Sequence, residues 1–335
     1  MALPILDLSV APASCQGPAR RRYAYHVDKE LAMLYGILVA TKSNDDAAHV
    51  TQRAAILAGG LREATLDIFS VVTPAGTRRI LSWMRGSEHH AERTEQERTM
   101  RRLSCQSEYL REQYGIRCTI ASGVGALAAQ VAARVRTSAT DIVVLGGHAP
   151  HWTKSSTGDG EAARIARMCG RPVLLVRNEP RCAYTRIAVP NDFSDDALRV
   201  TETVMRLLPE AHITFLHSYR VAGQGAMSRA GVVDRTIDNG RLRAQRQAQA
   251  AFSTFLQRLG RPLTKFSLVL TAQPEALATR TYLRTVKPDL IALADGAASL
   301  LLGWLNDSTP WTVLNDTRCD VLLLAPRQAH SVSTS

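Results

Sequence analysis

Asp141-Ile-Val-Val-Leu-Gly-Gly147, a polar loop to Gly160, a helical pattern and then Pro172-Val-Leu-Leu-Val176 decide the fold. The stretch reads strand, loop, helix, strand. Both apolar runs are continuous and rich in β-branched residues, where a strand solvated on one face would alternate, so each predicts a strand covered by helices on both faces of a parallel sheet. A near copy follows at Asp289-Leu-Ile-Ala-Leu293, Gly296, Ser308 and Asp320-Val-Leu-Leu-Leu324. Asp289 lies 148 residues beyond Asp141, and Val321 the same distance beyond Val173. The chain therefore reads as a tandem repeat.

Its 335 residues suit about two domains of ~150 residues, each able to bury a core. Lys plus Arg number 41 against 30 Asp plus Glu, a net charge of +11. The excess is spread over both halves instead of being gathered in one basic face, and only five of the 41 are lysines, which argues against a nucleic-acid track. Six cysteines form no CxxC pair and no metal spacing, so reduced, structural thiols are expected. The start lacks a cationic leader, and Asp7 interrupts its apolar run. The longest apolar candidate, 290–305, contains Asp295 and is shorter than the ~18 residues that span a bilayer. These features predict a cytoplasmic chain without membrane association.

Going outward from the opening stretch, residues 1–31 carry Pro, Ala and the run Arg20-Arg21-Arg22 without any period, and read as a mobile arm. Domain one covers 32–180. Its first strand is 35–40, followed by Lys42, Ser43 and Asn44 and an Ala-rich helix; the second strand is 66–72, a charged helix spans about 88–113, and the third strand is 116–121. Domain two covers 184–326, with strands at 186–190, 213–217 and 266–270, and residues 327–335 form a polar tail. Five parallel strands alternating with helices predict a doubly wound sheet in each domain, order 3-2-1-4-5, with the ligand crevice between the first and fourth βα loops.

Several motifs have plainer readings. Gly123-Val-Gly125-Ala-Leu-Ala128 fits a dinucleotide fingerprint formally, but it follows the third strand, and its expected acidic partner, Asp141, begins the next strand instead of ending it. A tight turn is the expectation. His89 and His90 point to different sides of a helix, and His148 and His151 lack a third ligand, so no metal site is expected. No GxxxxGK[ST], nucleophile elbow or CxxC is present, and no catalytic residue is assigned.

Ile187-Ala-Val-Pro-Asn-Asp-Phe-Ser194, with the strand, glycine loop and Pro-Val-Leu-Leu-Val of the last third, resembles the universal stress protein family, in tandem form over 32–180 and 184–326. That resemblance implies an adenine nucleotide alpha hydrolase-like fold in both domains and a non-catalytic stress-response role. It also implies a pseudo-dimer in which 173–176 and 321–324 meet. Family members that bind ATP use an Asp after strand one for adenine, and a GxxG loop with a following Gly and Ser or Thr for phosphate and ribose. Domain one aligns Gly146, Gly147 and Gly160 with the loop, but has Lys42 for the Asp, Pro150 for the second glycine and Glu161 for the hydroxyl. Lys42 and Glu161 occupy the two walls of one crevice and are expected to pair and close it. Domain two offers Asp192, Ser194, Gly296, Ser299, Ser308 and Thr309, with Asp307 in place of a glycine. The expected outcome is a stress protein with degraded nucleotide sites, with ATP or AMP binding by domain two as the alternative. The physiological ligand, partner proteins and homo-oligomeric state stay open.

Overall fold

The computed structural model describes residues 5–6, 35–42, 48–61, 63–72, 88–146, 161–219, 234–260, 265–294 and 319–325. The chain divides into two compact units, Ala11–Ala183 and Tyr184–Ser335, the latter joined by Met1–Val10. In chain order the first element is the two-residue strand β1 (Ile5–Leu6). The unit Ala11–Ala183 then contains β2 (Gly36–Lys42), α1 (Ala48–Gly59), β3 (Thr65–Val72), α2 (Glu88–Tyr114), β4 (Cys118–Val124), α3 (Leu127–Thr137), β5 (Ile142–Gly146), α4 (Glu161–Cys169) and β6 (Val173–Val176). Its strands run parallel in the order β6-β5-β2-β3-β4. The central β2 is buried from Gly36 to Thr41, as its unbroken apolar run requires of a strand covered on both faces. On α3, Leu127, Ala128, Val131, Ala132 and Val135 recur at helical spacing and are buried together.

The second unit repeats the plan with β7 (Arg186–Pro190), α5 (Asp195–Leu207), β8 (His212–Ser218), α6 (Asp234–Leu259), β9 (Phe266–Thr271), α7 (Glu275–Thr285), β10 (Leu290–Ala294) and β11 (Asp320–Leu324). Its parallel order is β9-β8-β7-β10-β11. Each unit thus places its strands 3-2-1-4-5, and the sheet reverses its direction of winding between the first and fourth strands. No helix among the described residues is long and apolar enough to cross a membrane.

Two expectations are corrected. The arm is not irregular throughout, because Ile5 and Leu6 pair antiparallel with Val269 and Leu268 of β9. A free strand edge presents unpaired N–H and C=O groups, and two apolar residues suffice to meet them. The third strand of the first unit extends to Val124, so Gly123 lies inside a strand and not in a turn. A Cβ there would stand 2.8 Å from both Cζ of Phe69 and Oε1 of Gln130, so close packing explains this glycine. Gly125 makes the turn, with φ of 133°.

Candidate functional site

In the first unit the strand order assigns a ligand crevice to the carboxyl ends of β2 and β5. Lys42 is the last residue of β2 and Glu161 the first of α4. The Lys42 ammonium donates to Oε2 of Glu161 at 3.1 Å, with the two side chains only 23% and 24% exposed. A carboxylate also suits the positive end of α4. The pair therefore neutralises itself at the carboxyl end of β2. Gly146 ends β5 half-buried, and a Cβ on it would come within 3.2 Å of Cγ2 of Val50, so α1 already fills that space.

In the second unit the first βα turn is built by its own side chains. The Phe193 N–H donates to Oδ1 of Asn191 at 2.6 Å, and the Ser194 N–H donates to Oδ1 of Asp192 at 3.0 Å. Two successive Asx turns of this kind hold Phe193 at φ of 64°. Ser194 then caps α5 by accepting from the Ala197 N–H at 3.2 Å, with Asp195 and Asp196 in the positive first turn. Asp192 stays exposed, and no ion pair reaches it among the described residues.

Beneath that turn, His217 donates Nδ1–H to the Asn191 carbonyl at 2.7 Å and lies 4.3 Å from the Phe193 ring. Burial holds the His217 pKa below its usual 6.5, against the opposing pull of the Asn191 carbonyl and the Asp192 charge. Nδ2 of Asn191 is buried with no hydrogen-bond partner. Most buried donors are satisfied, so this orphaned amide is unusual. The chemistry on offer at the surface of this turn is the exposed Asp192 carboxylate.

Of the expected site residues, the structure therefore describes Asp192, Ser194 and Gly146. Gly147, Pro150, Gly160, Gly296, Ser299, Asp307, Ser308 and Thr309 lie outside the described residues, as do Ser43, Asn44, His148 and His151. No group of His, Cys, Asp and Glu among the described residues could hold a metal ion. Asn191, Phe193 and His217 were not singled out from sequence. The Asn-Asp-Phe-Ser order signals the Asx turns, but His217 reaches the turn only because β8 lies beside β7.

Residues 183–325 match the universal stress protein family. The match falls on the second unit. Solved structures similar over both units include a universal stress protein from Archaeoglobus fulgidus DSM 4304, 12% identical, covering 86% of this chain and 96% of its own, with TM-score 0.57. A protein assigned to the universal stress proteins from Pseudomonas aeruginosa UCBPP-PA14 is 15% identical, covering 88% and 94%, with TM-score 0.54. A protein of unknown function from Pseudomonas aeruginosa PAO1 is 15% identical, covering 88% and 93%, with TM-score 0.53. At these identities the likeness is one of fold. No curated protein matches the chain.

Proposed function

We propose that this chain is a non-catalytic universal stress response protein that acts by binding a ligand or a partner, with its nucleotide sites altered from the family pattern. The Lys42 to Glu161 ion pair carries this reading, because it occupies the first unit's crevice with charges that satisfy each other. The family match of the second unit supports it. The reading includes pairing of the two domains as a fused dimer. Engineered cysteines, one within 173–176 and one within 321–324, test that pairing by crosslinking.

Calorimetric titration with ATP-Mg tests the binding side. The expected result is affinity no tighter than about millimolar, which corresponds to roughly −4 kcal/mol. ATP left unhydrolysed after long incubation with the protein is the second expected result, and turnover would overturn the non-catalytic reading. A specific observation favours one alternative, ATP or AMP binding by the second unit. Asp192 is exposed without an ion pair among the described residues. Micromolar affinity abolished by Asp192→Ala would select that alternative.

A further inference from the structure

The two units differ at one sheet edge. Leu66 sits beside Cys118 as Ile213 sits beside Phe266, and the Thr65 N–H donates to the Tyr35 carbonyl as the His212 N–H donates to that of Thr185. Strand β4 thus corresponds to β9, with Cys118 matching Phe266 and Ile120 matching Leu268. The β9 edge is capped by β1, and all six of its residues are buried. Among the described residues no strand pairs with the outer edge of β4, and none of its seven residues is buried.

The groups that β4 leaves open follow from its ladder. The Gly125 N–H donates to the Val72 carbonyl, so odd-numbered residues turn toward β3. Alternation then directs the N–H and C=O of Cys118, Ile120, Ser122 and Val124 outward. On β9 the Thr271 carbonyl accepts from Tyr219, which turns Phe266, Leu268 and Leu270 outward, toward β1. Exposed edges are commonly guarded by charges, proline or bulges. Cys-Thr-Ile-Ala-Ser-Gly-Val contains no charge and no proline.

We infer that β4 is a self-association edge, where two copies of this chain pair β4 with β4 in antiparallel fashion. Each chain has two equivalent third-strand edges and one β1, which lies on β9. Exchanging β1 between copies would cover β4 only by uncovering β9, whereas pairing the two β4 strands leaves neither edge open. The occupant is therefore a second copy. The strand carries no charge, so self-pairing opposes no like charges, and a twofold closes the assembly at two chains. Full overlap puts the twofold at Ala121, with Cys118 opposite Val124 and Ile120 opposite Ser122.

Sedimentation of the full chain tests this. Ser122→Pro removes one outward N–H and leaves the ladder to β3 intact. The wild type is expected to sediment as a dimer, and the variant as a monomer with unchanged circular dichroism. As a second variant, Ala121→Cys in a chain also carrying Cys105→Ser and Cys182→Ser should form a disulfide with its copy under mild oxidation, because the symmetric Ala121 pair is a close one, with Cα atoms about 4.5 Å apart. This crosslink decides the matter if Ser122→Pro does not fold. A wild type that stays monomeric to about 100 μM overturns the proposal, since such an affinity is worth less than roughly 6 kcal/mol. A dimer that survives Ser122→Pro but is lost on deleting residues 1–10 assigns association to the arm and overturns it as well.

Discussion

The first unit's crevice is closed by one ion pair, and the second unit's first turn rests on one buried histidine. Lys42 and Glu161 are 119 positions apart, and their pairing could be anticipated because the strand order brings the first and fourth βα loops together. Glu161→Gln keeps an amide oxygen for the ammonium but removes the carboxylate charge, and should cost up to about 1 kcal/mol, read as a lower urea midpoint. His217 was not legible, since its role depends on which strand lies beside β7. Its lowered pKa fixes a sign. Above pH 6.5 folded and unfolded chains both hold it neutral, while below 6.5 the unfolded chain takes up a proton that the buried ring resists. Stability should therefore fall as pH drops through 6.5 toward the lower folded value, and His217→Gln should flatten that dependence in urea titrations. Asp289 acts lower on the scale. Burial pushes its carboxyl up, but N–H and hydroxyl donors from Thr185, the Arg186 N–H and the Arg186 charge outweigh it and hold the pKa below 3.8. That stability is present above 3.8 and is lost as pH falls through the folded value.

Among elements, the buried strands were the most legible because continuous apolar runs state their own limits, and 66–72 in sequence became Thr65–Val72 in structure. Edges of elements were less so. The sequence ended strand three at 121 because two glycines suggested a turn, yet β4 continues through Gly123 against Phe69. Glycine is an ambiguous letter here, and its packing separates the cases. At Gly36 a Cβ would lie 1.5 Å from the Ala139 carbonyl oxygen, whereas at Gly59, at the end of α1, nothing lies within 4 Å. Gly36→Ala should abolish or severely reduce folding of the first unit, because backbone cannot yield that distance. Gly59→Ala should instead be neutral or stabilise by up to about 1 kcal/mol, which thermal denaturation of the two variants would show. Ser194→Ala removes the cap of α5 and should cost about 1 kcal/mol in the second unit.

Over the whole molecule, the doubling was visible in sequence as a constant offset, and the structure adds a device that spacing alone did not reveal. Asp141 accepts the Gly36 N–H, and Asp289 accepts the N–H groups of Thr185 and Arg186, so an aspartate ties the start of strand four to the start of strand one in each unit. The thiols separate by environment. Cys105 and Cys182 are exposed, Cys319 is buried, and burial pushes Cys169 up to about 11. In the native protein a thiol reagent should therefore modify Cys105 and Cys182 well before Cys169 and Cys319, as peptide mapping of partly labelled protein can check. The pairing of Ile5 with Val269 and of Leu6 with Leu268 has a further consequence for synthesis. β1 is synthesised long before its partner, and cannot pair until the whole first unit and the second unit as far as β9 have been made. Until then β9 has no cap and the arm has no seat. The two-residue seam should open first in the finished protein, with the Leu268 amide exchanging its hydrogen ahead of inward-facing amides such as that of Val269.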